Sequence, residues 1–256
     1  MIFETHAHYE DERFDPDRDE LLASMHAHGI GKIVNAGSTL ETVKKSISLA
    51  ENYDFVYAAV GVHPSEIECL DERGFAWLQE QAKHPKTAAI GEIGLDYYWD
   101  KEEEVQAKQR EWFRRQLVLA KEMELPVIIH SRDAAEDTLT IMKEAHAMQI
   151  PGVIHCFSYS VQMAEEYVRM GYYIGVGGVV TFKNARKLKE VVEKIPLAYL
   201  LLETDCPYMA PEPFRGKRNS SLYLPYVAKK IAEIKGITEQ EVIDVTEQNA
   251  LKMYRL

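Results

Sequence analysis

Ile2-Phe3-Glu4-Thr5-His6-Ala7-His8 opens the chain as a short run that reads as a β-strand. Residues two apart in a strand lie on the same face, so His6 and His8 point the same way at its C-terminal end, where two neutral imidazoles can share one metal ion. An H-x-H pair alone is equally at home as two exposed or structural histidines. What decides the reading is that four later apolar strands also close on a metal-ligand residue type: Glu92, His130, His155 and Asp205.

Outward from that stretch, short apolar strands alternate with amphipathic helices along the whole chain. Strands are expected at 2–8, 32–36, 55–63, 87–95, 126–130, 152–156, 172–177 and 199–205. Helices are expected at 18–28, 40–52, 71–83, 102–124, 133–148, 160–170 and 184–194, with two more in the tail at 222–235 and 239–253. Gly29 is a suitable stop for the first helix. In 102–124, Trp112, Leu117, Leu119, Ala120 and Met123 recur at near-helical spacing. Eight strand–helix units predict a parallel sheet closed into a single-domain (β/α)8 TIM barrel over residues 1–256. An open doubly wound sheet is the competing architecture, but no Gly-rich phosphate fingerprint follows the first strand.

Composition narrows the function classes. The 256 residues are 46% hydrophobic and 28% charged, ample for one barrel core. A net charge of −11 argues against broad electrostatic binding of nucleic acid, though not against a small site where cations meet phosphate. Three cysteines without a C-x-x-C pair suit a reducing compartment. The N-terminus is acidic, and no apolar run approaches the ~20 residues of a membrane span. The expectation is a soluble cytoplasmic protein with no membrane partner and no obligate protein partner.

In (β/α)8 barrels the site sits at the C-terminal ends of the strands. The candidate ligands are His6, His8, Glu92, His130, His155 and Asp205, and His63 ends strand three. Glu92 and Asp205 end apolar runs, where an unpaired carboxylate is costly to bury. His26, His28, His84 and His146 fall in helices or loops and read as surface or packing residues. Four imidazoles and two carboxylates are too many for one tetrahedral zinc but suit two divalent ions. Glu92 is the expected bridge, with one ion on His6, His8, Glu92 and Asp205 and the other on Glu92, His130 and His155. Asp205 is the candidate proton acceptor for an activated water. Strand parity puts Glu4 one layer below His6 and Glu203 one layer below Asp205, where at least one is expected to hold a ligand histidine by its free N–H. The mixed N/O set fits Zn, Mn, Co, Ni, Fe or Mg.

Six segments together resemble the TatD family of metal-dependent deoxyribonucleases, within the amidohydrolase-like barrels, over nearly the whole chain. They are Glu4-Thr5-His6-Ala7-His8, Gly61-Val62-His63-Pro64, Gly91-Glu92-Ile93-Gly94-Leu95-Asp96-Tyr97-Tyr98, His130-Ser131-Arg132-Asp133-Ala134, His155-Cys156-Phe157-Ser158 and Glu203-Thr204-Asp205-Cys206-Pro207-Tyr208. The resemblance implies divalent-metal hydrolysis of phosphodiesters, with single-stranded DNA ends as substrate and action from the 3′ end. It carries the same six residues over as ligands and matches His63 to a histidine near the scissile phosphate. The loop at 211–219 resembles the family's basic loop, so Arg215, Lys217 and Arg218 join Arg132 as expected phosphate contacts. Ser65 and Tyr159 stand where the family often has His and Gly, and both sit on site loops. Two other functions compete: a C–N or ester hydrolase of a small molecule, and a non-catalytic metal or DNA-end binding protein. Many amidohydrolase-like barrels carry a modified lysine on strand four; Glu92 stands there instead.

Overall fold

A computed structural model describes residues 1–256. Eight parallel strands follow one another around a barrel in sequence order: β1 (Ile2–Ala7), β2 (Ile30–Ala36), β3 (Val56–Val60), β4 (Thr87–Asp96), β5 (Val127–Arg132), β6 (Gly152–Ile154), β7 (Tyr173–Val176) and β8 (Leu200–Leu202). Around them lie α1 (Arg18–Ser24), α2 (Leu40–Asn52), α3 (Glu72–Gln81), α4 (Glu103–Glu122), α5 (Ala135–Ala145), α6 (Val161–Arg169), α7 (Arg186–Lys194), α8 (Leu224–Lys235) and α9 (Glu239–Tyr254). The predicted (β/α)8 barrel is the fold. No helix is long and apolar enough to cross a membrane.

Five of the expected strands run past the observed ones at their C-terminal ends, whereas β4 and β5 extend to Asp96 and Arg132, beyond the expected ends at 95 and 130. His8, His63, His155 and Asp205 all lie just beyond their strands, because the chain turns there to leave the sheet. Asp205 turns with a left-handed φ of 55°, a region aspartate enters more readily than most residues, and Cys156 with 45°. The first helix stops at Ser24, and 26–28 tightens into a 3-10 turn that Gly29 ends at φ 83°.

Period-two alternation sorts the strand residues into two cores. Ile33, Val127, Ile129, Ile174, Leu200 and Leu202 face the helices in a cluster of 56 buried residues. Phe3, Val34, Ile128, Val153, Tyr173 and Leu201 face inward in a cluster of 13, which α9 plugs from below with Ala250, Met253 and Tyr254. Phe3 stacks on Tyr254 at 5.6 Å, and the Tyr254 hydroxyl donates to the Thr5 carbonyl at 2.9 Å. The same parity carries Ile128 to His130, Val153 to His155 and Leu201 to Glu203, so an apolar floor lies beneath a polar upper layer.

The barrel closes between β8 and β1 through only a few bonds. Asp205 N–H donates to the His6 carbonyl at 3.0 Å and His8 N–H to the Cys206 carbonyl at 2.8 Å. The seam therefore runs through three candidate ligands. Glu4 staples it from beneath: its carboxyl accepts the Thr204 N–H at 2.8 Å, the Thr204 hydroxyl at 2.6 Å, the Ser221 hydroxyl at 2.9 Å and the His6 N–H at 3.2 Å.

Candidate metal centre

Glu92 sits at the middle of the upper layer, fully inside β4. Its Oε2 lies 3.3 Å from His6 Nε2 and 3.7 Å from His8 Nε2. Its Oε1 lies 2.8 Å from both His130 Nδ1 and His155 Nε2. Asp205 Oδ1 completes the first group at 3.3 Å from His8 Nε2 and 3.6 Å from His6 Nε2. All six predicted ligands thus converge, and one carboxylate turns an oxygen to each half.

Two glutamines on one face of α4 hold the strand ends that build this layer. Both backbone groups of Asp96 are met by Gln109: Asp96 N–H donates to its Oε1 at 2.9 Å and its Nε2 donates to the Asp96 carbonyl at 3.1 Å. Gln116 treats Val62 in the same way, at 2.9 and 3.3 Å. Buried backbone groups left without sheet partners must be satisfied somehow, and these amides do so one residue before His63 and at the end of β4. Close approach of β4 to β5 depends on Gly94. At its φ of 146°, an added Cβ would lie 1.9 Å from the His130 carbonyl oxygen.

Hydrogen bonds fix the ring tautomers of His8 and His130, whereas Nδ1 of His6 and of His155 has no hydrogen-bond partner. His8 Nδ1–H donates to the Ala36 carbonyl at 2.9 Å, leaving Nε2 as a lone pair toward Asp205. His130 Nε2–H donates to Asp96 Oδ2 at 3.1 Å, leaving Nδ1 as a lone pair against Glu92 Oε1. Lone pairs facing one another at 2.8–3.7 Å repel unless a proton or a metal cation lies between them. The donor set fits divalent ions on chemical grounds, and the triads His6–His8–Asp205 and His6–Glu92–His155 are compact enough to hold them.

His63 differs from the other rings. Its Nδ1 accepts the Ser65 N–H at 3.2 Å, so the neutral ring carries its proton on Nε2, 3.7 Å from Glu92 Oε1. Burial, with His130 beside it, pushes its pKa down to about 3 and keeps it neutral. Burial likewise lowers His6 to about 4. Burial works against charge on Glu92, Asp205, His8, His130 and His155 alike, but their mutual pairing outweighs it. The carboxylates raise His155 to about 9 and lift His8 and His130 above the ordinary range, and the protonated rings hold both carboxyls below theirs.

Neither of the two deeper carboxylates hydrogen-bonds a ligand histidine, and His155 Nδ1 has no hydrogen-bond partner. Glu203 Oε1 stands 3.9 Å from His155 Nδ1 and accepts the Cys156 N–H. Room for it exists because Gly175 has no Cβ, which would otherwise meet Glu203 Oε2 at 2.3 Å. Glu4, expected on equal terms to hold a ligand histidine, touches no imidazole and instead pins the seam backbone.

Above the layer opens a cavity of about 1100 Å³. His63 and Arg132 line it, whereas Arg215, Lys217 and Arg218 do not. Arg218 forks onto Asp17 at 2.6 and 2.7 Å and donates to the Arg13 carbonyl, so its charge staples the loop at 211–219 to the start of the chain. Arg215 lies over the Phe182 ring at 4.3 Å, and Lys217 is exposed. The cations that do line the cavity with Arg132 are Arg186 and Lys187, at the start of α7. The sequence reading missed them, and nothing in a Lys/Arg-rich amphipathic helix separates rim residues from solvated ones. It also missed Asp96, which parity would have found because it shares the face of Glu92 in β4, and Glu10, which lies in the turn after β1 with its Oε1 3.3 Å from His8 Nδ1, where strand parity gives no signal.

The sequence profile of the family described as TatD related DNase matches residues 3–255. The chain belongs to that family. It is 46% identical over 256 residues, covering all of both chains, to a Bacillus subtilis protein named uncharacterized metal-dependent hydrolase YabD. It is 33% identical to a Rahnella protein named 3′-5′ ssDNA/RNA exonuclease TatD, covering all of this chain and 98% of that one. The crystal structure of YjjV, a TatD homologue from Escherichia coli, superposes with a TM-score of 0.93 at 33% identity, covering all of this chain and 98% of that one. As a member of this family the chain is a metal-dependent hydrolase.

Proposed function

We propose that the protein is a 3′-5′ exodeoxyribonuclease on single-stranded DNA, holding two divalent cations between His6, His8, Glu92 and Asp205 on one side and Glu92, His130 and His155 on the other. The observation that carries the reading is Glu92, with Oε2 toward one pair of histidines and Oε1 toward the other. When bound, such a pair of ions supplies Lewis-acid polarisation of a phosphoryl oxygen and acidifies a water nucleophile.

The chain's own residues do the rest. Asp205, at the cavity wall, accepts the proton of the attacking water. Water oxygen bonds to phosphorus as the P–O3′ bond breaks, leaving a 3′-hydroxyl on the shortened strand and a 5′-phosphate on the released nucleotide. His63 Nε2–H, its tautomer set by Ser65, donates to a phosphoryl oxygen. Arg132 makes no ion pair within the chain and has its guanidinium free for phosphate. Exonucleolytic action is supported by the 33% identical Rahnella relative named 3′-5′ ssDNA/RNA exonuclease. Glu92, where many amidohydrolase-like barrels place a modified lysine, favours phosphodiester over C–N hydrolysis. The test is turnover of 5′-labelled single-stranded DNA with added Mn²⁺, Mg²⁺ or Zn²⁺ and with chelator. Stepwise shortening of the labelled strand from its 3′ end that chelator abolishes is the expected result; absence of cleavage with every metal would sink the reading.

A further inference from the structure

Trp99 is two-thirds exposed (66%), the most exposed large apolar side chain in the protein, yet it stands on the cavity wall. An indole left in water at a site mouth is an unpaid hydrophobic surface unless something covers it. Tyr98, 43% exposed, meets it edge-on with ring centroids 4.7 Å apart. Arg132 lies over both rings, 3.9 Å from the Tyr98 centroid and 5.4 Å from that of Trp99. Together these three side chains present a π-face beside a cation that no carboxylate neutralises.

The backbone under this group is tied down by hydrogen bonds. Asp96 Oδ1 accepts the N–H groups of Tyr98 and Trp99 at 3.0 and 3.2 Å. Gln109 grips Asp96 on both backbone groups and Asp100 through its carboxylate at 2.7 Å. Tyr97 N–H donates to the Arg132 carbonyl at 2.9 Å, and Asp96 pairs with Arg132 in the β4–β5 register. The other oxygen of Asp96 takes the His130 Nε2–H at 3.1 Å. One buried carboxylate therefore fixes both the exposed aromatic turn and a candidate ligand, so whatever lies on Trp99 is held at a set distance from the metal centre.

We propose that Trp99, with Tyr98 and Arg132, is a stacking platform for one nucleobase of the bound strand, next to the nucleotide being released. The inference rests on the nuclease reading above and adds a base-contacting subsite to it. Stacking on an aromatic face is tolerant of base identity, because every base has a π-face. Arg132 adjoins the platform and meets the phosphate attached to the stacked nucleotide. The platform thus requires a base to be present while leaving its identity open.

The experiment compares the wild-type chain with Trp99→Ala and Trp99→Phe, each loaded with the best-supporting metal. Substrates are a 3′-labelled single-stranded oligonucleotide and a set in which one nucleotide at a time, counted from the 3′ end, lacks its base. Wild type should lose about tenfold in kcat/KM when the base is missing at one position near the end and little at the others. Trp99→Ala should lose a similar factor on the intact strand, chiefly in KM, and lose almost nothing more on the abasic strand. Trp99→Phe should recover most of the loss. Unchanged KM in Trp99→Ala, or an abasic penalty that survives the substitution, would overturn the platform while leaving the nuclease reading intact. Wild type that cleaves none of these strands would overturn the nuclease reading and the platform with it.

Discussion

At Glu92 the two carboxylate oxygens do separate work, and that asymmetry makes the residue harder to replace than any histidine around it. Removing one imidazole takes a donor from one half of the centre; removing Glu92 takes a donor from both. Glu92→Ala should therefore lose more bound metal, by elemental analysis, and more turnover than His6→Ala, His8→Ala, His130→Ala or His155→Ala. A variant that keeps its metal and its rate would make Glu92 a structural residue. Asp205 has a different dependence. Asp205→Asn keeps an oxygen donor but cannot accept a proton, so turnover should fall by about 10²-fold or more with much of the metal retained. Full metal content with an unimpaired rate would remove Asp205 from that role. Asp96 acts one bond further out, by holding the proton of His130 on Nε2. Asp96→Asn weakens that acceptor, and metal affinity at the centre should drop by about 10- to 100-fold in a competitive chelator titration. An unchanged affinity would show that the tautomer of His130 is set elsewhere.

At the scale of elements, the centre depends on how strand ends are held after the sheet stops. Gln116 is buried in α4 and serves both backbone groups of Val62, next to His63. Gln116→Ala leaves a buried N–H and C=O without partners and should destabilise the fold by about 1–3 kcal/mol, read as a lower urea midpoint. It should also slow turnover without changing metal content, because His63 loses its support while the six candidate ligands keep theirs. Equal stability to wild type would mean that water replaces the amide. The loop at 211–219 is the contrasting case. Its arginine at 218 is committed to Asp17, so Arg218→Ala should lower stability with little effect on DNA affinity, whereas Arg186→Ala and Lys187→Ala should lower affinity with little effect on stability.

At the scale of the whole molecule, a chain with net charge −11 holds an anion only where its charge is locally reversed. Arg132, Arg186 and Lys187 are the cations lining the cavity, against acidic neighbours such as Glu10, Asp11 and Glu66. Three phosphate contacts at roughly 0.7 each on single strands give a slope of about 2 in log affinity against log salt. A slope near ten, measured on a catalytically dead variant, would place the strand on another surface. Metal bound at the β8–β1 seam also ties the two ends of the barrel together. Saturating metal at about 100 times its Kd should stabilise the fold by about 2.7 kcal/mol, roughly 5–10 °C in melting temperature, and chelator should remove that gain. A melting temperature indifferent to chelator would mean the seam is held by Glu4 and backbone bonds alone.

How much of this was legible in the sequence depends on the range of the interactions involved. Alternation of apolar strands and amphipathic helices is local, and period two carries inward and outward faces along each strand, so the barrel, its strand count and the convergence of six ligand-type residues followed from 1–256 read in order. Ile128 before His130 and Val153 before His155 are legible for the same reason: two residues along a strand is the same face. The exact strand ends were not, because a strand stops where its neighbour's hydrogen bonds run out, and that is decided across the sheet. Glu4 and Glu203 have the same parity signature and both accept backbone N–H groups, but only Glu203 lies near an imidazole, and the packed seam decides that. The basic run at 215–218 looked like a phosphate site because charge is visible in sequence. Only the folded chain brings Asp17 up to Arg218 across 201 positions, and only the turn of α7 at the rim sets Arg186 and Lys187 in its place. Residue type and spacing specified what chemistry the chain can do; the closing of the barrel decided which of its charges remain free to do it.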